Sequence, residues 1–329
     1  MVILVTGSTG FIGAQLCKAL LNQGEKVRAF HRANSPQTLL NDLDVDHVIG
    51  DLTQPETLYR AMKEVDVVFH TAAQLGSHGD SKKMASVTVD GTKHLLQAAL
   101  DNGVKRVVHT SSVAALGVPV EPGNGSMSLM DEQHSWNYPP EWWHYGYTKY
   151  LAELEVQKSV SAGLDAVIVN PAVVIGAGDI NRISGDVIIH VARRHIPISV
   201  SGGLNVVHID DVVHGHMAAL QHGRRGERYI LGGENITIND FIKQIAKITG
   251  VQEPLFSLPG GLMRSLVVPI SIVNRMIPLP ISGDTFHRAG YFFYYNTEKA
   301  KSMLGLYEKR PISEAILDAY TWYKQQKML

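Results

Sequence analysis

The sequence contains very little cysteine and no excess of charge of either sign. Cys17 is the only cysteine among 329 residues, which excludes a disulfide within the chain and is typical of reducing compartments. Because 30 Lys and Arg side chains are balanced by 31 Asp and Glu side chains, the formal net charge is -1. Without a basic block of sequence, nucleic acid and anionic membranes are poor candidate partners.

Long hydrophobic runs are also missing. The most apolar segment, 258–281, is interrupted by charged residues and prolines, at Arg264, Pro269, Arg275, Pro278 and Pro280. A membrane-spanning helix needs about 20 predominantly apolar residues in a row, so this segment does not qualify. Residues 1–5 are apolar, but no basic segment precedes them, and glycine follows too early for a signal peptide. We therefore expect a cytoplasmic protein without a membrane partner.

Strand and helix patterns alternate along the first half of the chain. The predicted strands are 2–5, 26–30, 46–49, 65–70, 104–110 and 165–169. The helices predicted between and after them are 11–21, 55–63, 81–102 and 145–162. This alternation predicts an α/β fold with a Rossmann-type doubly wound parallel sheet. We assign residues 1–170 to this domain, expect 206–232 to return to it, and expect 171–329 to form mainly a smaller, mixed region.

A glycine-rich turn separates the first predicted strand from the first predicted helix. Gly7, Gly10 and Gly13 lie in the segment TGSTGFIG. In a dinucleotide site the first glycine allows the turn, the second lets the backbone approach a pyrophosphate, and the third lets the helix pack on the strand. The N–H groups and the dipole of the helix N-terminus add an attraction for phosphate. The context therefore predicts a dinucleotide site, with a purely structural turn as the alternative.

The residues after the second and third predicted strands bear on the choice of dinucleotide. An acidic residue at the end of the second strand is typical of NAD sites, because it binds the ribose 2′-hydroxyl. Here Arg32 stands in that region, and a guanidinium suits the 2′-phosphate of NADP. We expect NADP(H), with NAD(H) as the alternative and an exposed surface arginine as the structural interpretation. Asp51 follows the third strand and fits either an adenine contact or a helix cap.

A serine and a tyrosine–lysine pair are the candidate catalytic residues. Tyr145 and Lys149 are four residues apart, so they share one helical face, and Tyr147 points elsewhere. A nearby ammonium favours a phenolate, which predicts a lowered pKa for Tyr145 and proton transfer near neutral pH. Ser112 follows the fifth predicted strand, where its hydroxyl could bind a substrate carbonyl. A tyrosine and a lysine four residues apart also occur by chance, so this spacing alone does not define a catalytic pair.

Three motifs together carry a resemblance to a known family: TGSTGFIG at the start, SSVAALG at 111–117 and YGYTKYLAE at 145–153. The sequence resembles the extended short-chain dehydrogenase/reductase superfamily, or NAD-dependent epimerase/dehydratase family, over almost the whole chain. Within it, the sequence is most similar to the dihydroflavonol-reductase-like and 3β-hydroxysteroid-dehydrogenase-like members.

The resemblance implies catalytic roles for Ser112, Tyr145 and Lys149. Tyr145 would move the proton, Lys149 would lower its pKa and hold the nicotinamide ribose, and Ser112 would position the substrate oxygen. The motifs and the resemblance together predict a set of cofactor-binding residues: Gly7, Thr9, Gly10, Phe11, Ile12, Gly13, Arg32, Asp51, Leu52, Ala72, Ala73, Tyr145, Lys149, Pro171 and Val174. The resemblance also implies a homodimer formed through the helices at 81–102 and 145–162.

The sequence departs from the family pattern at Thr88, where Asn is usual, which puts the structural or proton-relay role of that amide in doubt. Ala177 replaces a common proline in a loop on the substrate side.

Fifteen histidines do not predict a metal site. The spacings 214/216 and 190/195 do not place two rings on one helical face, and no cluster has zinc spacing. We therefore expect no metal.

The sequence favours an NADP(H)-dependent oxidoreductase that acts on a largely apolar carbonyl or secondary alcohol. Residues 171–329 would mainly bind the substrate, with 259–295 as an apolar lid and the aromatic residues of 118–143 as either a pocket wall or packing. One alternative is a nucleotide-sugar epimerase or dehydratase with tightly bound NAD. The other is a non-catalytic NAD(P)-binding sensor.

Overall fold

Seven parallel strands form the central sheet of the protein. The computed structural model describes residues 1–74, 81–120, 129–265 and 287–329. From one edge to the other the strands are β10 (Arg228–Leu231), β6 (Ala166–Pro171), β5 (Arg106–Thr110), β4 (Val67–His70), β1 (Val2–Thr6), β2 (Lys26–His31) and β3 (Asp46–Ile49). The order reverses direction between β1 and β4, so the carboxyl ends of these two strands flank a crevice where ligands bind in such sheets. The predicted fold class is confirmed.

Helices cover both faces of this sheet. On one face lie α1 (Phe11–Asn22), α7 (Ile209–His222) and α10 (Glu298–Leu304). On the other lie α2 (Pro55–Ala61), α4 (Gly91–Asp101) and α5 (His144–Ser161), with the short α3 (Ser81–Ala85) beside them. The strands are buried between the two layers, which explains why they read as continuous apolar runs in the sequence.

A smaller region packs beside the carboxyl edge of the sheet. Its three-stranded sheet contains β11 (Glu234–Thr237), β9 (Gly203–His208) and β7 (Val173–Ile175), and a two-stranded sheet pairs β12 (Ser257–Leu258) with β8 (Ser199–Val200). The helices of this region are α6 (Asp186–Ala192), α8 (Ile238–Thr249), α9 (Gly260–Ser265) and α11 (Ile312–Gln325). Local signals define α8 well, because the Asp240 N–H donates to the Thr237 hydroxyl and Gly250 ends the helix with φ of 72°.

Two predicted elements differ from the structure. The helix predicted over 81–102 contains a π-helical turn at Ser86–Asp90, between α3 and α4. The first residues of the segment 206–232, which was expected to return to the central sheet, lie in β9, and β9 pairs with β7 and β11 instead. Within the segment that was expected to return, α7 and β10 pack with the central sheet. The central part of the predicted lid, 266–286, lies outside the described residues.

Candidate active site

One groove at the carboxyl edge of the central sheet contains every predicted site residue. The groove is a cavity of about 330 Å³. Its lining includes Gly7, Thr9, Gly10, Phe11, Ile12, Gly13, Arg32, Asp51, Leu52, Ala72, Ala73, Ser112, Tyr145, Lys149, Pro171 and Val174. These residues lie far apart in sequence, and they meet because each follows a parallel strand or begins the helix after one.

The glycine turn forms one end of this groove in the shape that a pyrophosphate requires. Gly7 has φ of +68°, and a Cβ there would lie 2.8 Å from the Ala72 backbone nitrogen. A Cβ on Gly13 would lie 2.3 Å from the Gly7 carbonyl oxygen, so helix α1 can approach the turn only with glycine at this position. The first turn of α1, whose N–H groups have no partners within the helix, borders the groove. The residues present therefore fit a dinucleotide.

The far end of the groove carries a single arginine beside a serine. Arg32 is exposed, and within the described residues its guanidinium forms no hydrogen bond or ion pair. Ser35 lines the groove next to it, and its N–H donates to the Arg32 carbonyl oxygen at 3.1 Å. Asp51 Oδ1 accepts hydrogen bonds from the N–H and the hydroxyl of Thr53, at 2.9 and 2.8 Å. Asp51 thus stabilises the turn before α2 while also lining the groove.

The three candidate catalytic side chains meet near the middle of the sheet. Tyr145 and Lys149 lie on α5, and the Tyr145 hydroxyl is hydrogen bonded to Ser112. The Ala114 N–H donates to Ser112 Oγ at 3.1 Å, which fixes this hydroxyl at the end of β5. Lys149 Nζ donates to the Thr110 carbonyl oxygen at 2.9 Å. A hydroxyl, a phenol and an ammonium therefore face one groove together.

Burial shifts the pKa values of Tyr145 and Lys149, and one of these shifts differs from the prediction. The pKa of Tyr145 is raised, because burial disfavours the phenolate more than the hydrogen bond from Ser112 favours it. The prediction that Lys149 lowers this pKa is wrong for the protein as the structure has it. Burial also lowers the pKa of Lys149 to about 8, although the Glu153 carboxylate partly offsets the effect. Tyr145 is thus a protonated phenol in this site.

The sequence comparison agrees with the motifs. Residues 3–232 match the sequence model of the NAD dependent epimerase/dehydratase family. The chain belongs to this family. It is an NAD(P)-dependent oxidoreductase of the extended short-chain dehydrogenase/reductase type.

Relatives cover almost the full length of the chain. A Synechocystis sp. protein named for dihydroflavonol 4-reductase is 36% identical over 97% of this chain and 94% of its own. Sterol demethylase protein B of Methylococcus capsulatus is 33% identical over 100% of both chains. The protein in the crystal structure of gox2253 has 34% sequence identity to this chain. The two structures match with a TM-score of 0.87 over 100% of this chain and 99% of that chain. A UDP-glucose 4-epimerase from Thermotoga maritima, 22% identical with a TM-score of 0.79, shares the fold over 99% of this chain and 100% of its own.

Thr88, which stands where the family usually has Asn, belongs to a hydrogen-bonded network below the groove. Its Oγ1 accepts from the Gln74 N–H at 3.1 Å, and its carbonyl oxygen accepts from the Thr92 hydroxyl at 2.6 Å. His70 bonds Thr92 Oγ1 through Nε2, at 3.0 Å, and Thr6 Oγ1 through Nδ1, at 2.8 Å. Since the Thr92 hydroxyl donates to Thr88, it accepts from His70 Nε2–H. The network thus anchors the strand-end loop at Gln74, which lines the groove.

One loop that lines the groove carries none of the predicted site residues. Asn181, Ile183 and Ser184 line the cavity, and no motif pointed to them. Their loop is held by the buried Asp179, whose carboxylate accepts from three backbone N–H groups and from the Tyr323 hydroxyl. The only available signal was Asp179, the last residue of the segment GAGD, which also contains Ala177.

In the described part of the chain, the aromatic residues of 118–143 pack on one another, on rings of α5 and on rings beyond residue 286. Trp136 stacks on Tyr150 with ring centroids 6.2 Å apart and also contacts Tyr147. Trp142 stacks on His287 at 4.6 Å. Packing, one of the two interpretations of this segment, therefore accounts for these rings.

Outside the groove, His190 and His195 lie together, and His208 belongs to a separate cluster. His190 and His195 do meet, with their Nδ1 atoms 3.5 Å apart, because α6 ends at Ala192 and the chain turns back at Arg194, where φ is +61°. The prediction that their spacing keeps them apart is wrong, since it assumed an unbroken helix.

His208 lies with Glu314 and Asp318 in a group that could hold a metal ion. His208 Nδ1 accepts from the Asp210 N–H, so its proton is on Nε2 and is donated to Asp318 at 3.2 Å. In this tautomer the His208 ring caps α7, and Glu314 accepts a hydrogen bond from Arg310 Nη1 at 2.7 Å. No helix in the described part of the chain combines the length and hydrophobicity that crossing a membrane requires.

Proposed function

We propose that this oxidoreductase is an NADP(H)-dependent carbonyl reductase, or secondary-alcohol dehydrogenase, with Tyr145 as the acid and base. One observation carries the proposal: a protonated tyrosine, bonded to Ser112, faces the dinucleotide groove one helical turn from Lys149. A protonated phenol can donate to a carbonyl oxygen as the alcohol forms. The raised pKa keeps the phenol in the protonation state that reduction of a carbonyl requires.

The roles of the side chains follow from their positions. When bound, NADP(H) carries the hydride that is exchanged with the substrate carbon. Ser112 and Tyr145 both donate hydrogen bonds to the substrate oxygen, and Tyr145 then gives it a proton. Lys149 lines the same groove one helical turn further along α5, where its ammonium would hold the nicotinamide ribose.

The proposed preference for NADP(H) rests on Arg32 and Ser35. Strand β2 ends in His31 and is followed by Arg32, so the carboxylate that would bind the ribose hydroxyl of NAD is missing here. The exposed guanidinium and the neighbouring serine suit the 2′-phosphate instead. We also propose that the predicted cofactor-binding residues, all of which line the groove, bind the dinucleotide.

The names of relatives support a largely apolar substrate. Besides the two relatives named above, the chain is 28% identical to the 2-alkyl-3-oxoalkanoate reductase of Stenotrophomonas maltophilia, over 76% of both chains. Ketone-containing and sterol-like compounds are therefore the first substrates to try. In keeping with the sequence analysis, we place residues 171–329 mainly on the substrate side and the enzyme in the cytoplasm.

Replacing Tyr145 with Phe tests the function directly. Tyr145→Phe should lower kcat with a ketone by about 100-fold or more, since general acid catalysis contributes this much, while NADPH binding by fluorescence titration stays near wild type. Tyr147→Phe is the matched control. Tyr147 lies two residues after Tyr145, but it packs on Trp136 and does not line the groove. Turnover retained in Tyr145→Phe would contradict the proposal. Purification with tightly held NAD and no net redox activity would favour a nucleotide-sugar epimerase instead.

A further inference from the structure

Glu153 is a buried carboxylate one helical turn beyond Lys149 on the same face of α5. Its side chain is only 5% exposed. It does not line the groove, so it touches neither cofactor nor substrate. A charged carboxylate in such a place is costly unless hydrogen bonds and an opposite charge satisfy it.

Three side chains from three different strands or strand ends satisfy this carboxylate. Oε1 accepts from the Ser111 hydroxyl at 2.5 Å and from Asn170 Nδ2 at 2.6 Å. Oε2 accepts from Arg228 Nη1 at 3.0 Å. Asn170 Nδ2 donates in addition to the Ser112 carbonyl oxygen at 2.9 Å. Glu153 thereby ties α5 to the ends of β5 and β6 and to β10.

These hydrogen bonds help to set the distance between Ser112 and the two catalytic side chains of α5. Ser111 precedes Ser112, and Asn170 holds the Ser112 carbonyl, so the carboxylate fixes the end of β5 from two sides. Tyr145 and Lys149 are carried by the helix to which Glu153 belongs. Together with the Ala114 N–H bond, Glu153 therefore sets the position of the Ser112 hydroxyl relative to the phenol.

We propose that Glu153 is a positioning residue that holds Ser112 in register with Tyr145 and supplies the negative charge that acts on Lys149. The proposal rests on the proposed function for its kinetic part only. The charge part concerns the protein without substrate.

The electrostatic surroundings of Lys149 are defined by few groups. His70 on β4 and His109 on β5 face it, and both are held neutral because burial lowers their pKa values. Tyr145 on the same helix is a neutral phenol. Glu153 is the group that raises the pKa of Lys149, opposing burial. Arg228 faces the other side of the Glu153 carboxylate.

The test is the titration of Lys149 in cofactor-free protein labelled with ¹³C at lysine Cε, with Lys149→Arg used to assign the resonance. The wild-type midpoint should lie at about pH 8. Glu153→Gln should move it down by about one pH unit or more, since an opposite charge nearby has an effect of this size. Glu155→Gln, on the same helix with its carboxylate on Lys158, should leave it unchanged. Circular dichroism confirms that each variant is folded.

Glu153→Asp separates position from charge. The variant keeps the carboxylate but shortens it, so the Lys149 midpoint should stay near the wild-type value. Its kcat should fall about tenfold or more, because misplaced catalytic groups cost rate while the KM for NADPH stays the same. If Glu153→Gln does not fold, Glu153→Asp still decides the positioning part of the proposal.

Two results would overturn the inference. An unchanged Lys149 midpoint in folded Glu153→Gln would remove the role of the charge, and wild-type kcat in Glu153→Asp would remove the role in positioning. If the wild-type enzyme reduces no ketone, the proposed function fails, yet the titration still decides the charge part of the inference.

Discussion

Tyr145 and Lys149 share one helical face, yet burial moves their pKa values in opposite directions. Burial raises the pKa of the phenol and lowers that of the ammonium to about 8, because each side chain loses water that would stabilise its charged form. The spacing of the two residues was readable from the sequence. The protonation state was not, since it depends on what surrounds them.

Arg32 provides the prediction at the scale of single residues. Arg32→Ala should weaken NADPH binding by about 10- to 100-fold and leave NADH binding nearly unchanged, because a charge-assisted hydrogen bond to the 2′-phosphate contributes about 1.5–3 kcal/mol. Isothermal titration with both dinucleotides measures the ratio. Arg60→Ala is the control, since Arg60 is an exposed arginine on α2 that does not line the groove. An equal loss for NADPH and NADH would contradict the assignment of a phosphate clamp.

Two short elements position the groove: the glycine turn after β1 and the π-helical turn between α3 and α4. The π-helical turn carries Thr88, whose hydroxyl accepts from the Gln74 N–H. Such turns are rare and are often found at functional sites. Thr88 thus lies in a backbone feature that no periodicity in the sequence indicates.

Gly13 gives the prediction at the scale of elements. Gly13→Ala should abolish tight NADPH binding and lower the free energy of unfolding by about 1–3 kcal/mol, because its Cβ would lie 2.3 Å from the Gly7 carbonyl oxygen, which is backbone. Urea unfolding and NADPH titration measure the two effects. In Gly261→Ala, where a Cβ meets no atom within 4 Å, both should stay near wild type. NADPH binding that survives Gly13→Ala would contradict the close packing described here.

At the scale of the whole molecule, stability depends on pH, because burial keeps His70, His109 and His216 neutral. Burial lowers the pKa of His70 to about 3 and of His216 to about 4, and it lowers that of His109 well below its usual value. Below pH 6.5 the unfolded chain therefore binds protons that the folded protein does not bind. By linkage, stability falls as pH falls through this range.

We expect the free energy of unfolding to fall as the pH falls below 6.5, with a slope for each of these histidines that approaches roughly 1.4 kcal/mol per pH unit near pH 5. Urea unfolding at pH 7, 6 and 5 measures the slope. His216→Asn, compared with the exposed His214→Asn, should reduce the slope by about one histidine's share. A stability that does not change with pH in this range would contradict the neutral state.

Assembly is the remaining proposal at this scale. We infer a homodimer through the helical segments 81–102 and 145–162, whose outer surface includes the exposed Leu154. Light scattering should give twice the chain mass of 36.1 kDa, and Leu154→Asp should give the monomer. A wild-type monomer would end this proposal.

The sequence by itself determined the doubly wound parallel sheet, and it indicated many of the residues that line the groove, but not Asn181, Ile183 and Ser184. Continuous apolar strands, the glycines after β1 and the spacing of Tyr145 and Lys149 are local signals. The topology then brings the strand ends to one edge. Only the tertiary structure decided the raised pKa of Tyr145, the meeting of His190 with His195 and the contacts of Glu153. The side chains that bond Glu153 lie 17 to 75 residues away in sequence, so burial and partnership at that site arise only when the chain has folded.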